Sequence, residues 1–150
     1  MTKILMVCLG NICRSPLAEG ILKSKVSNTT FFIDSAGTGS YHIGELPDPR
    51  SIKIAQEFDI DITKQRCRQF TVKDFDAFDI IYAMDNSNYN NILKLSRNEN
   101  DSQKVRLILN EVYKNQNFDV PDPYTGGIEG FKNVFMMLDE ACDIIAENIH

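Results

Sequence analysis

No run of apolar residues in this 150-residue chain is long enough to cross a bilayer. The run Ile4-Leu5-Met6-Val7 is too short for a signal-peptide core and is followed by no plausible cleavage site. Lysine and arginine do not cluster and the formal net charge is −5, so neither a nucleic-acid surface nor a membrane partner is expected. The two histidines, His42 and His150, stand apart from the cysteines, which disfavours a zinc site. The four cysteines, Cys8, Cys13, Cys67 and Cys142, lack the spacing of a disulfide framework and read as thiols of a cytoplasmic protein. There is no repeat, no low-complexity tract and no linker, so residues 1–150 are expected to form one domain. An anionic ligand would have to be captured by local donors against a mildly unfavourable overall charge.

What the sequence does contain is a regular alternation of strand and helix patterns. Lys3 to Cys8 reads as a strand buried on both faces. Leu17, Ala18, Ile21, Leu22 and Val26 follow helical spacing, with Glu19 and Lys23 paired on the polar side. Phe31–Ala36 predicts a second strand, Phe78–Met84 a third and Lys104–Leu109 a fourth. Pro47-Asp48-Pro49 opens a helix, and Asp85-Asn86-Ser87 supplies caps for another through Ile92, Leu93 and Leu95. Ser96–Gln103 reads as a polar loop. The apolar stripe Phe131, Val134, Phe135, Leu138, Ala141, Cys142, Ile145 and Ile149 marks a long final helix, with Cys142 in the core. This order implies an α/β layer fold with a parallel sheet, whose ligands sit at the carboxyl ends of strands. Cys8 lies at such an end.

Cys8 and Arg14 bracket five residues, and Ser15-Pro16 reads as a helix cap and first helical position. A loop running from a strand end into a helix N-terminus can turn its amides inward and make an anion site. Gly10 and Asn11 tolerate the left-handed backbone such a loop needs. Arg14 adds a planar fork for two phosphoryl oxygens. Converging donors favour thiolate over thiol at Cys8, and a Ser15 hydroxyl can bond the sulfur. A thiolate facing phosphorus is placed for attack and a phosphocysteine intermediate. A nucleotide P-loop is excluded, because no G-x4-G-K-[ST] pattern is present. The leaving oxygen of an ester needs a proton, and Asp122, stiffened between Pro121 and Pro123, is the best candidate donor. A plain Pro-Asp-Pro turn is the alternative reading of that segment.

These residues carry a recognisable pattern: the chain resembles the low-molecular-weight protein-tyrosine phosphatases. VCLGNICRSPLAE, DSAGT at 34–38, PDPR at 47–50, FDIIYAMDNSN at 78–88 and DPY at 122–124 follow that family's order and spacing. The resemblance implies a three-layer fold with a four-stranded parallel sheet flanked by helices, and neither cofactor nor metal. It assigns the nucleophile to Cys8, the phosphate-binding arginine to Arg14 and the general acid/base to Asp122. It also places Asn11 and Ser15 in a hydrogen-bond network around the loop, with the Gly10 and Cys13 backbone in the same cradle. Tyr41 and Tyr124 are implied as aromatic walls, with Leu9 and Ile12 lining the opening. The partners implied are a phosphotyrosine protein and inorganic phosphate or a similar oxyanion, and the state a monomer or weak dimer. In such proteins the cysteine beside the nucleophile can pair with it reversibly, which implies a redox role for Cys13. No role is assigned to Cys67, and His42 and His150 read as solvated. Two positions depart from the family pattern: Thr125 replaces a second tyrosine after DPY, and Gln65 replaces a histidine.

Three rivals share the signature. An arsenate reductase needs two further cysteines close together, which Cys67 and Cys142 are not. A protein-arginine phosphatase favours threonine where Ile12 stands, and Ile12 argues for an aryl substrate. A phospho-binding module without activity predicts loss of Cys8 or Asp122, and both are present.

Overall fold

The structure, a computed structural model, describes residues 1–124 and 126–149; Thr125 and His150, both singled out above, lie outside the described residues. Four strands, β1 (Thr2–Cys8), β2 (Phe31–Gly37), β3 (Ile80–Ala83) and β4 (Val105–Leu107), form one parallel sheet in the order β2-β1-β3-β4. Among the described residues six α-helices accompany them: α1 (Arg14–Lys25), α2 (Pro49–Glu57), α3 (Lys73–Ala77), α4 (Asn86–Leu93) and α5 (Glu99–Gln103) between strands, and α6 (Ile128–Asn148) after β4.

The apolar run of β1 is buried on both faces, as its lack of alternation predicts. Ile4, Met6 and Cys8 pack on the side of α1, α2 and α6. Leu5 and Val7 face Phe70, Phe75, Phe78 and Ile92 around α3 and α4. The stripe of α6 supplies the larger core: Phe131, Val134, Phe135, Leu138, Ala141, Cys142 and Ile145 are all buried.

Several sequence expectations shift. Ser96–Gln103 is not all loop, because the Asn98 side chain accepts from the Asp101 amide and caps α5. Helix α3 was hidden in a short polar stretch. β3 and β4 are shorter than their apolar runs; after Leu107 the chain tightens into a 3-10 turn at Ile108–Glu111. Glu19 is not on a polar face. It is 3% exposed, held between Lys23 Nζ and Ser35 Oγ, each at 2.6 Å. Burial, only partly offset by these two donors, pushes its pKa up.

Gly20 shows how closely α1 sits on the loop before Cys67. A Cβ built there would lie 2.5 Å from Ile62 Cγ2 and 3.1 Å from Ile60 Cγ2. Alanine is the better helix former by about 1 kcal/mol, but β-branched Ile62 is stiff and overpacking typically costs about 1–3 kcal/mol. Gly20→Ala is therefore expected to lower the urea midpoint of unfolding despite the gain in propensity. A raised midpoint would mean that Ile62 moves aside freely.

Candidate active site

The chain leaves β1 at Cys8 and enters α1 at Arg14, so the intervening loop closes over the carboxyl end of the central strand. Asn11 takes the left-handed conformation the loop requires, with φ 57°. Gly10 does not; its missing side chain matters for space, since a Cβ there would lie 3.1 Å from the His42 ring. Gly37, opposite Cys8 in the β1–β2 register, is the glycine the loop depends on. A Cβ at Gly37 would lie 2.7 Å from Leu9 O and 3.0 Å from Asn11 N. Thr38 N and Gly39 N donate to Cys8 O and Leu9 O, both at 2.9 Å, and fasten the loop to β2.

Donors converge on the Cys8 sulfur. Ser15 Oγ lies 3.0 Å from it and the Asn11 amide donates at 3.3 Å. Ser15 is not the helix cap read from the sequence; Cys13 holds that position and makes no side-chain cap bond. The Ser15 hydroxyl is thereby free for the sulfur, and Pro16, still within the first turn, has no intrahelical partner to lose. Asn11 Nδ2 reaches Ser15 Oγ at 2.9 Å and Ser35 Oγ at 3.0 Å, while Ser35 donates to Glu19 at 2.6 Å. A polar chain thus runs from Lys23 and Glu19 through Ser35, Asn11 and Ser15 to the sulfur. Asn11 Oδ1 accepts from the Arg68 amide at 2.9 Å, so the side chain is held at both ends.

Arg14 is 2% exposed. Its Nη1 donates to Asp85 Oδ2 at 2.7 Å and to Val120 O at 2.8 Å. Burial opposes its charge, but Cys8 and Asp85 more than offset this and the guanidinium stays ionised. Asp85 was read from the sequence only as a helix cap. It is one: Oδ1 accepts from Asn88 N at 2.7 Å. The same carboxylate uses its other oxygen to orient Arg14, a double duty that local pattern cannot show.

Asp122 projects from the 119–124 segment into the same cleft. Its Oδ1 accepts from Tyr124 N at 3.0 Å, and Oδ2 lies 3.8 Å from Arg14 Nη2. Its side chain is 46% exposed, which leaves the carboxyl open to a ligand. Cys8, Leu9, Ile12, Cys13, Arg14, His42, Asp122 and Tyr124 together line a cleft of about 160 Å³.

Two wall assignments change. Tyr41 is 73% exposed and does not line the cleft; its ring packs at Gly39, where a Cβ would lie 2.6 Å from Tyr41 Cε2. His42, read as solvated, lines the cleft instead. Its Nδ1 lies 3.0 Å from Glu45 Oε2, and its ring centroid is 6.2 Å from that of Tyr124. Cys67 also has a place: it is 4% exposed, its thiol donates to Asn11 O at 2.8 Å, and it packs with Ile12, Cys13 and Phe131 beneath the loop. Burial pushes its pKa up to about 11. Burial likewise drives the Cys13 thiol well above the usual range, with Asp48, Cys8 and Asp122 adding to it. Gln65 donates to Pro16 O at 3.1 Å, standing where the family pattern has histidine.

A cysteine sulfur ringed by donors at the end of a parallel strand, with a buried guanidinium and an open carboxyl beside it, is the arrangement that a cysteine-dependent phosphatase requires. A profile of the low molecular weight phosphotyrosine protein phosphatases matches residues 3–150. Two relatives bear that family's name, one from Dictyostelium discoideum, 41% identical over 89% of this chain and 85% of its own, and one from Schizosaccharomyces pombe, 39% identical over 92% of each. Among solved structures, a protein tyrosine phosphatase from Entamoeba histolytica with Hepes in the active site superposes with a TM-score of 0.88 at 38% identity, covering 97% and 94% of the two chains. Vibrio vulnificus Wzb in complex with benzylphosphonate superposes with a TM-score of 0.89 at 28% identity, covering 99% of each. The chain belongs to the low molecular weight protein-tyrosine phosphatases, a family of phosphate-monoester hydrolases.

Proposed function

We propose that the protein hydrolyses phosphotyrosine in protein substrates through a phosphocysteine intermediate. The observation that carries this is the meeting of three groups in one cleft: the Cys8 sulfur with its Ser15 and Asn11 donors, the Arg14 fork, and Asp122. The phosphoryl dianion sits in the loop from Cys8 to Arg14, with Leu9, Gly10, Ile12 and Cys13 contributing backbone around it. The Cys8 thiolate attacks phosphorus while Asp122 gives its proton to the departing phenolic oxygen. Asp122, now a carboxylate, takes a proton from water as that water attacks the phosphocysteine, releasing inorganic phosphate and restoring the thiolate. Arg14 and the loop amides stabilise the equatorial oxygens in both steps.

The aryl preference is supported by the apolar mouth formed by Leu9, Ile12 and Tyr124, and by the benzylphosphonate bound to the Vibrio vulnificus relative. Tyr41, at the surface beside this mouth, is assigned to contact with the substrate protein rather than with its ring. The domain acts alone, as a monomer or weak dimer, in a reducing compartment such as the cytoplasm. Under oxidant, a Cys8 sulfenic acid is captured by the Cys13 thiol, forming a disulfide and releasing water. Both cysteines line the cleft, which supports that pairing.

The test is Asp122→Asn against aryl phosphates of graded leaving-group pKa. Loss of a general acid costs about 10²–10⁴ in rate where the leaving oxygen needs a proton. The kcat/KM for phosphotyrosine peptide should fall by about that factor, and for an activated ester by less than about tenfold. Equal slowing of both would remove Asp122 as the acid.

A further inference from the structure

Asp122 stands in a segment that no strand or helix supports, yet a general acid must hold its carboxyl at one oxygen. The segment before it is fixed at both Val120 and Asp119. Val120 N donates to Met84 O at 2.8 Å, and Val120 O accepts from Arg14 at 2.8 Å. Asp119 also accepts from the Asn86 amide at 2.8 Å. Among the described residues after Asp122, the hydrogen bonds from a distant side chain come from Arg50. Its Nη2 donates to Tyr124 O at 2.8 Å and its Nη1 to Gly126 O at 3.0 Å.

Arg50 is itself immobilised. Nε and Nη2 grip the two oxygens of Asp48, each at 3.0 Å. Its guanidinium lies 4.4 Å over the ring of buried Phe131 and 5.7 Å from that of Tyr124. Asp48 caps α2 through the Arg50 amide at 2.8 Å, and its own amide donates to Ile12 O at 2.8 Å. An unbroken line therefore runs from the nucleophile loop, through Asp48, to Arg50 and on to the carbonyls following Asp122. The Tyr124 peptide is gripped on both sides. Its nitrogen bonds the Asp122 carboxylate and its oxygen bonds Arg50. Any shift of Tyr124 turns the carboxyl.

We propose that Arg50 is a positioning residue for the proton-transfer step: by holding the Tyr124 and Gly126 carbonyls it keeps the Asp122 carboxyl in register with the phosphate loop. The proposal rests on the reading of Asp122 as general acid. Arg50 touches no reacting atom, so its effect must follow the demand for a proton. A purely structural role would instead slow every ester alike. The planar fork explains why arginine serves here: Nε and Nη2 answer the two oxygens of Asp48 while Nη2 and Nη1 each reach one carbonyl, which a lysine ammonium cannot do.

The test is Arg50→Met, which keeps an apolar stem over Phe131 and removes every donor. The kcat/KM is measured across aryl phosphates from an activated ester to phosphotyrosine peptide, in the wild-type and Asp122→Asn backgrounds. Misplacement by about 1 Å can cost about 10²-fold, so a loss of about 10–100-fold is expected at the poor-leaving-group end and about threefold or less at the activated end. In the Asp122→Asn background the same change is expected to cost less than about twofold, since residues acting as one unit are not additive. A uniform loss across the esters, no loss at all, or an undiminished loss in the Asp122→Asn background overturns the proposal. If Asp122→Asn alone shows no leaving-group dependence, the general-acid reading fails first and this inference falls with it. If Asp122→Asn shows it and Arg50→Met does not, only the role of Arg50 is lost. Should Arg50→Met not fold, Arg50→Gln, a side chain too short to span Asp48 and both carbonyls, is read by the same criteria.

Discussion

Cys8→Ser is expected to abolish turnover while leaving the fold and the anion site in place. The change is nearly isosteric at a position 3% exposed, and the oxygen inherits the Ser15 and Asn11 partners at 3.0 and 3.3 Å. What it does not inherit is thiol chemistry, since an aliphatic hydroxyl is a far weaker acid than a thiol. The groups around the sulfur are donors and a cation, and they supply no base to create an alkoxide from a serine. Asp122 faces the leaving oxygen in the proposed mechanism and is committed there. The expected loss is on the order of 10⁴-fold or more, comparable to removal of other covalent nucleophiles. Inorganic phosphate should bind the variant at least as tightly as the wild type, because a neutral hydroxyl replaces the thiolate that the proposed mechanism sets against a dianion. Calorimetry with phosphate and an overnight hydrolysis assay measure both. Turnover above one part in about a thousand would mean that another group attacks phosphorus.

How much of this was written locally explains what sequence reading found and missed. β1, α1 and α6 are legible because burial imposes a pattern: an unbroken apolar run in one case, helical stripes in the others. The phosphate loop is legible because strand end, Gly-Asn, arginine and helix start follow one another within nine residues, from Cys8 to Pro16. Asp122 is visible through its flanking prolines. The supporting residues are not, since each acts across a long separation. Asp85 reaches Arg14 from 71 positions away, Cys67 reaches Asn11 O from 56, and Arg50 reaches Tyr124 O from 74. Glu19 misleads for a related reason. Its spacing to Lys23 is that of a surface pair, and only the packing of β2 against α1 reveals that Ser35 has drawn it inward. His42 and Tyr41 are neighbours on one loop, and which of them turns toward the cleft is decided by Gly10 and Gly39, whose bare backbones leave room for the two rings.

Arg14→Lys is expected to be nearly as damaging as loss of the nucleophile's partners altogether, although charge is conserved. Arg14 does three things at once. Nη1 answers Asp85 and Val120 O, and the rest of the planar fork faces the cleft, with Nη2 3.8 Å from Asp122. A lysine ammonium is a compact point charge on a different stem. If it bonds Asp85, it leaves Val120 O buried without a donor and presents no second contact to the phosphoryl oxygens. If it turns to the phosphate, the Asp85 carboxylate loses its cation. Either choice removes a preorganised donor from the transition state, worth about 10²–10³ in rate. Release of the Val120 carbonyl adds to this, because it is one of the upstream anchors of the segment carrying Asp122. The combined loss in kcat/KM is therefore expected to exceed about 10³ for phosphotyrosine peptide. An unsatisfied buried carbonyl also costs about 1–3 kcal/mol, so the thermal midpoint should fall by several degrees while the protein remains folded at assay temperature. Leaving-group dependence separates the two effects. Loss of the phosphoryl contact slows every ester, whereas the freed acid segment adds a further penalty only where the leaving oxygen needs its proton. A variant retaining more than a tenth of wild-type kcat/KM would show that positive charge alone suffices and that the planar fork is dispensable.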